Sequence, residues 1–136
     1  DEGIHELKYN LLPQVDLITP NIEEAKWLTG KDNRQDIIQE FDNLNSNFVL
    51  IKNNQKRNKI ENSLFNRREL IRRWSLTKVR GKFQGTGCSM SSSIASNMAK
   101  GLSIEESIEL AQDFVYKSIK NAITLGKGQK IPKRFN

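Results

Sequence analysis

Apolar positions along the chain follow two patterns, one typical of helices and one typical of buried strands. In residues 1–12 they share one helical face, and Pro13 ends that segment. Two short apolar runs, residues 15–19 and 48–51, are predicted to be strands buried in a sheet. Between them, residues 36–44 repeat apolar side chains at helical spacing and are predicted to form an amphipathic helix.

Another helix is predicted directly after the first strand, because Asn21 and Glu24 have the spacing of a capping box. It is expected to end near Gly30. Capping alone explains this Asn-x-x-Glu pattern. A second interpretation is that the two polar groups, at the carboxyl end of a strand, hold a hydrated Mg²⁺ beside a nucleotide phosphate, since Mg²⁺ needs few protein ligands.

Lys52 follows the second predicted strand directly. Ligands of open α/β sheets bind at the carboxyl ends of strands, so this lysine could reach a phosphate as a point charge. An exposed lysine at a strand end is equally ordinary, and both interpretations stay open at this point.

The second half of the chain continues with strands and then helices. Residues 63–65 and 70–76 alternate imperfectly around the polar link 66–68, which predicts a β-hairpin or meander. A helix is expected after Gly87, with a stop at residues 100–101, and a second capping box opens a long helix through residues 103–122. This order of elements predicts a single domain of layered α/β structure.

The loop that opens the helix at Gly87 is the first candidate for chemistry. Gly85 and Gly87 bracket Thr86, and a helix start of this kind offers unpaired backbone N–H groups and the positive end of the helix dipole to an anion. Cys88 lies in the first turn, where the same field favours a thiolate that could act as base or nucleophile. The alternative is a plain strand-to-helix turn with a buried, inert cysteine.

Composition narrows the class of protein. The 136 residues have a mean hydropathy of −0.64, and no apolar run approaches the roughly 20 residues of a membrane span. One cysteine excludes an internal disulfide and fits a reducing cytoplasm, and one cysteine with one histidine argues against a zinc site. Because the chain begins with Asp1, we expect it to be a piece of something longer.

The net charge of +6 is concentrated between residues 52 and 82, where 11 basic residues face only two acidic ones. An anionic partner is therefore expected, either a nucleotide phosphate or a nucleic acid. Trp74 and the neighbouring arginines could stack on bases, but a solvated basic hairpin with one packed tryptophan explains the same pattern. No helix-turn-helix or aromatic-rich ribonucleoprotein motif accompanies it, so nucleic-acid binding is the least favoured interpretation.

Several motifs in a fixed order carry a more specific signal. Together they resemble the carboxyl-terminal half of the hydroxymethylpyrimidine/phosphomethylpyrimidine kinases, a thiamine-biosynthesis branch of the ribokinase-like superfamily. The matching stretches are residues 17–30, with Thr-Pro-Asn at positions 19–21, and residues 48–52, 85–89, 99–103 and 125–128. The resemblance spans residues 11–128 and implies a ribokinase-like α/β fold and ATP-dependent phosphorylation of a small pyrimidine.

The resemblance also implies a role for each candidate residue. Asn21 and Glu24 would organise Mg²⁺ and phosphate, and the backbone amides of residues 85–87 would form the anion hole. Lys52, and Lys127 in a glycine-flanked loop, would lie near the nucleotide. Cys88 would be the base for the substrate hydroxyl, where most sugar-kinase relatives use an aspartate.

Departures from the family pattern predict reduced function. Asn53 and Asn54 replace a glycine pair, Gln84 replaces a histidine, and the family's amino-terminal half is missing from the sequence. The strand at residues 15–19 would then have an open edge unless a second copy or the missing half covers it. We therefore expect the chain alone to bind nucleotide weakly and to phosphorylate pyrimidine poorly or not at all. A non-catalytic subunit or regulatory module of the same fold is the alternative.

Overall fold

The computed structural model describes residues 1–78, 86–121, 123–124 and 130–131, the last two pairs by their backbone alone. The chain divides into two units, Asp1–Lys78 and Val79–Asn136, and each is described by itself. Gly85 and Lys127, two of the candidate site residues, lie outside the described residues.

The first unit is a four-stranded sheet with helices before and between its first strands. Its sheet has the order β1-β2-β3-β4, with β1 parallel to β2 and the other pairs antiparallel. The meander of β2, β3 and β4 confirms the predicted turn at residues 66–68. The elements are α1 (Glu2–Glu6), which continues into a π-helical segment (Leu7–Leu11) and a 3-10 turn (Leu12–Gln14), then β1 (Leu17–Ile18), α2 (Ile22–Thr29), α3 (Arg34–Asn43), β2 (Phe48–Lys56), β3 (Lys59–Asn66) and β4 (Glu69–Thr77).

Helix α2 begins and ends where the sequence predicts, whereas α3 runs over Arg34–Asn43 and not 36–44, because Asn33 caps it two residues earlier. Asn21 caps α2, and Gly30 ends it in the left-handed conformation with φ of 69°. The predicted apolar face of α3 is buried against the sheet, as amphipathic spacing requires. The core of this unit consists of Leu12, Ala25, Ile37, Ile38, Phe41, Leu44, Val49, Ile51 and Phe65.

Strand β1 differs from its prediction in length and burial. Only Leu17 and Ile18 pair, with Phe48 and Val49, and both are half-buried. The reason is that β1 is the edge of the sheet, with β2 beside it on one side and no described strand on the other. The predicted open edge is therefore present in this unit.

Strand β2 is longer than the predicted run of residues 48–51. It runs to Lys56, so Lys52 lies within the strand and not at its end. A bulge at Lys52–Asn53 interrupts the pairing with β3. Lys52 is only 6% exposed, so the interpretation as an ordinary exposed lysine is wrong.

The second unit pairs α4 (Thr86–Ala99) with α5 (Ile104–Lys120), followed by the short strands β5 (Ile123–Thr124) and β6 (Lys130–Ile131). Gly101, with φ of 90°, ends α4, and the predicted capping box of Ser103 and Glu106 opens α5. Met90 and Ile94 of α4 and Ile108 and Ala111 of α5 are buried. No helix within the described residues is long and apolar enough to cross a membrane.

Candidate functional site

Asn21 and Glu24 form a reciprocal pair at the start of α2. The Asn21 side-chain oxygen accepts a hydrogen bond from the Glu24 backbone N–H at 2.8 Å, and Glu24 Oε2 accepts one from the Asn21 backbone N–H at 2.8 Å. This capping box leaves Glu24 Oε1 outside the pair, and the Glu24 side chain is exposed to solvent. Capping therefore accounts for one oxygen of each side chain and leaves a carboxylate oxygen available to a cation.

Lys52 is the backbone neighbour of this pair. Its N–H donates to the Pro20 carbonyl oxygen at 2.9 Å, and Asn21 and Lys52 form an isolated parallel bridge. The first unit thus brings three of the candidate residues, Asn21, Glu24 and Lys52, to one place through the continuation of β1 beside β2. This juxtaposition is the one the sequence interpretation required of these residues.

A surface hollow of about 470 Å³ lies beside them. Its walls are the start of α2 on one side and the residues after Lys52 on the other, and Asn21 is the one of the three candidate residues that lines it. The lining residues are Asn21, Ile22, Glu23, Lys26, Asn53, Asn54 and Gln55. Asn53 and Asn54, which replace a glycine pair in the resemblance, thus form part of the wall.

Asn62 is a residue of this region that the sequence interpretation missed. It lies on β3, its side chain is 2% exposed, and its side-chain oxygen accepts a hydrogen bond from the Asn53 N–H at 3.0 Å. Asn62 lies between Glu61 and Ser63, so no break in an apolar pattern marked it in the sequence. The sequence alone did not show which strand would lie opposite it.

Glu24 fits a hydrated Mg²⁺, which needs few ligands from the protein. Within the described ranges no group of three or more His, Cys, Asp or Glu side chains could hold a metal ion. Mg²⁺ at Glu24 would therefore take most of its ligands from water and phosphate oxygens, which is its usual preference. Among the described residues Glu24 Oε1 accepts no hydrogen bond, so it suits a cation, and Lys52 brings a positive charge to the same region.

The second unit places its candidate residues on the first turn of α4. Thr86 is half-buried, whereas Gly87 and Cys88 are exposed. The exposed thiol contradicts the interpretation of Cys88 as a buried, inert cysteine. It also lines an open groove of about 760 Å³, formed with four serines of α4 and with Leu110 and Phe114 of α5.

The basic segment of β3 and β4 is partly neutralised. Arg68 Nε donates to Asp42 Oδ2 at 2.8 Å, and Arg73 Nε lies 3.4 Å from Glu61 Oε1. Trp74 is 8% exposed, and the Arg72 guanidinium lies 5.1 Å from the centre of its ring. A buried ring cannot stack on nucleic-acid bases, so the alternative with one packed tryptophan is the arrangement observed.

Glu61 is the buried carboxylate of this segment. Arg34 donates to its Oε1 at 2.9 Å and Lys56 to its Oε2 at 3.2 Å. Burial by itself raises the pKa of Glu61, but the hydrogen bonds from Arg34 and Lys56 and the charge of Arg73 outweigh it and hold the pKa below its ordinary value. The carboxylate therefore ties the start of α3 to the meander.

Residues 1–133 match the model of a family described as phosphomethylpyrimidine kinase. The chain belongs to this family. Among its curated relatives are the hydroxymethylpyrimidine/phosphomethylpyrimidine kinases of Aquifex aeolicus, 32% identical over 96% of this chain and 54% of the relative, and of Bacillus subtilis, 30% identical over 94% and 50%. The chain thus spans about half the length of the curated phosphomethylpyrimidine kinases it matches.

Solved structures place the fold in the same group. The ADP complex of Bacillus subtilis pyridoxal kinase superposes with a TM-score of 0.85 at 25% identity, over 98% of this chain and 53% of that one. A putative phosphomethylpyrimidine kinase from Bacteroides thetaiotaomicron superposes with a TM-score of 0.76 at 19% identity, over 88% and 44%. The ribokinase-like α/β fold expected from the sequence is confirmed, and the roles of individual site residues stay predictions.

Proposed function

We propose that this chain is the phosphate-binding half of an ATP-dependent kinase that phosphorylates hydroxymethylpyrimidine or phosphomethylpyrimidine in thiamine biosynthesis. The observation that carries the proposal is the meeting of Asn21, Glu24 and Lys52 beside a surface hollow, in a member of the phosphomethylpyrimidine kinase family. Near the end of β1, the Glu24 carboxylate would bind the Mg²⁺ of a magnesium nucleotide, and the Lys52 cation would neutralise its phosphate.

Each candidate residue has a separate task in this proposal. Glu24, held by Asn21, retains a hydrated Mg²⁺, and Lys52 and Lys127 neutralise nucleotide phosphates. The backbone amides of residues 85–87 donate hydrogen bonds to the transferring phosphoryl group. Cys88, as a thiolate, takes the proton of the substrate hydroxyl while that oxygen bonds to phosphorus and the bond to the ADP leaving group breaks.

The reaction requires more chain than is present here. Because no described strand covers the second side of β1, a further strand can extend the sheet there, and the curated phosphomethylpyrimidine kinases that the chain matches are about twice as long as this chain. We propose the family's amino-terminal half as that partner, with a second copy of this chain as the other possibility. A cytoplasmic location for this reaction stays a prediction from the sequence.

The test is reconstitution. The chain is mixed with the amino-terminal half of the Aquifex aeolicus relative, and ADP release from Mg·ATP is followed with hydroxymethylpyrimidine as substrate. We expect turnover by the mixture and essentially none by either half alone. In the mixture, Cys88→Ala should lower kcat by about 100-fold, the size expected for loss of a general base, whereas Ala95→Ser, an exposed change on the same helix, should leave it unchanged.

One observation favours a second candidate function. Asn53 and Asn54 give the wall of the hollow side chains where the family has glycines, and Asn53 adopts φ of 58°. Side chains at this point obstruct a close approach of the nucleotide to the backbone. If the mixture associates tightly but neither binds Mg·ATP nor turns over, the chain is a non-catalytic subunit of the same fold, and the kinase proposal fails.

A further inference from the structure

The bulge in β2 interrupts the regular pairing of the sheet beside the hollow. Ile51 pairs with Ser63 and Asn54 pairs with Glu61, so Lys52 and Asn53 together oppose the single residue Asn62. Two residues against one bend a strand and turn its side chains away from their regular directions. The residues that line the hollow from β2, Asn53, Asn54 and Gln55, begin at this bend.

The bend is held from both sides. On the β1 side, the Lys52 N–H donates to the Pro20 carbonyl oxygen at 2.9 Å. On the β3 side, the Asn53 N–H donates to the side-chain oxygen of Asn62 at 3.0 Å, where a regular ladder would offer a backbone carbonyl. Asn62 is 2% exposed whereas Asn53 is exposed, so the acceptor of this hydrogen bond is buried and the bond as a whole is partly buried.

Asn53 needs this support because its conformation is unfavourable. Its φ of 58° lies in the left-handed region, which costs energy for any residue with a β-carbon, although asparagine tolerates it better than most. A strained conformation persists only where the surrounding structure fixes it, and such positions concentrate at binding sites. The buried acceptor on Asn62 is what fixes it here.

We propose that Asn62 is a positioning residue for the nucleotide site. Its side-chain oxygen holds the Lys52–Asn53 bulge in the one shape that keeps Lys52 beside Asn21 and opens the hollow between β2 and α2. This inference rests on the proposed function, since it assigns Asn62 a role toward the magnesium nucleotide. Asn62 itself does not touch the ligand in this proposal and acts through Asn53.

The test follows the backbone amides of the ¹⁵N-labelled chain by NMR. Two quantities are measured: the hydrogen-exchange rate of the Asn53 amide, and the Kd of Mg·AMP-PNP, a non-hydrolysable ATP analogue, from the shifts of residues 52–54. Asn62→Ala removes the acceptor, whereas Asn62→Asp retains an oxygen in its place. Ser63→Ala is the control on the same strand, because the Ser63 hydroxyl is buried without a hydrogen-bond partner among the described residues.

We expect Asn62→Ala to speed exchange at Asn53 and to weaken nucleotide binding, each by about tenfold, the effect of losing one partly buried hydrogen bond. Asn62→Asp retains the acceptor oxygen and should restore the exchange rate at Asn53 to within about threefold, whereas its negative charge near the proposed phosphate site should keep nucleotide binding weak. Ser63→Ala should change neither quantity, so a general loss of stability is distinguished from loss of position. Equal Kd values for the parent and Asn62→Ala would overturn the proposal while leaving the nucleotide site intact. A parent chain whose amides do not respond to the nucleotide would overturn the proposed function as well.

Discussion

Glu61 shows how a single residue changes the meaning of a charged segment. The sequence places 11 basic residues against two acidic ones between residues 52 and 82, which predicts a basic surface. In the structure, the Glu61 carboxylate contacts three cations. Lys56 and Arg73 belong to that segment, and Arg34 lies on α3. Asp42, which lies outside the segment in sequence, pairs with Arg67 and Arg68. Such pairings are set by the meander and cannot be counted from the sequence.

Removing the charge of Glu61 should make the stability of the fold less dependent on pH. Because the folded-state pKa of Glu61 is lower than its ordinary value of 4.5, the ionised carboxylate stabilises the fold above that pH, and this stabilisation is lost as the pH falls through the folded-state pKa. We predict that Glu61→Gln lowers the free energy of unfolding by about 1–2 kcal/mol at neutral pH, as expected for charged hydrogen bonds with half-exposed partners.

Urea denaturation between pH 3 and pH 7 measures this difference. The gap between the parent and Glu61→Gln should narrow as the pH falls below 4.5. Glu69→Gln is the matched control, because Glu69 is an exposed carboxyl at the start of β4 and forms no ion pair among the described residues. A gap that stays constant through this range would show that Glu61 does not contribute through its charge.

Asn53 permits a second test at the scale of one residue. Alanine tolerates the left-handed conformation less well than asparagine, so Asn53→Ala should destabilise the fold by about 1 kcal/mol, and Asn53→Gly should not destabilise it. The free energies of unfolding from urea titrations measure both. Asn54→Ala, one residue along and outside the left-handed region, should lie within about 0.5 kcal/mol of the parent. Equal losses for Asn53→Ala and Asn53→Gly would contradict this explanation.

At the scale of elements, the features that depend on residues close together in the sequence were predictable. Both capping boxes, Asn21 with Glu24 and Ser103 with Glu106, form as their spacing indicates, because the partners are three residues apart. The glycine stops at Gly30 and Gly101 are also confirmed. The spacing of apolar residues located α3 and α5 for the same reason.

The elements that differ from prediction depend on distant neighbours. β1 is short and half-buried because no described strand covers its second side, and no pattern within five residues indicates which neighbours a strand has. Lys52 is buried because β2 continues past it through a bulge whose support, Asn62, comes from the next strand. The sequence therefore indicated the candidate residues of the first unit, whose roles stay predictions, and it did not indicate Asn62, which we propose to hold them in position.

The double role proposed for Asn21 can be separated by substitution. Asn21→Ser retains an N-cap oxygen but removes the amide, whereas Asn21→Ala removes both. We predict that Asn21→Ala lowers the free energy of unfolding by about 1 kcal/mol and that Asn21→Ser lowers it by clearly less. Ser103→Ala, the corresponding cap of α5, should cost a similar amount without affecting nucleotide binding. Thermal denaturation measures the stabilities, and a loss for Asn21→Ser as large as that for Asn21→Ala would contradict capping as the source of the stabilisation.

At the scale of the whole molecule, the chain spans about half the length of the curated phosphomethylpyrimidine kinases it matches. Its two units each carry part of the candidate machinery: Asn21, Glu24 and Lys52 in the first, and the first turn of α4 in the second. The proposed activity depends on both halves of the family's fold, whereas the proposed binding of nucleotide phosphates depends on candidate residues that this chain contains. Binding is therefore the more direct test of the account.

The decisive measurement is calorimetric titration of Mg·ATP into the chain and into Gly87→Asp. We predict weak but saturable binding by the parent chain and a loss of more than about tenfold in affinity for Gly87→Asp, since a carboxylate in the proposed anion hole repels phosphate. Ala95→Asp, which adds the same charge at an exposed position further along α4, should bind like the parent. No binding by the parent chain, or equal binding by Gly87→Asp, would contradict the account.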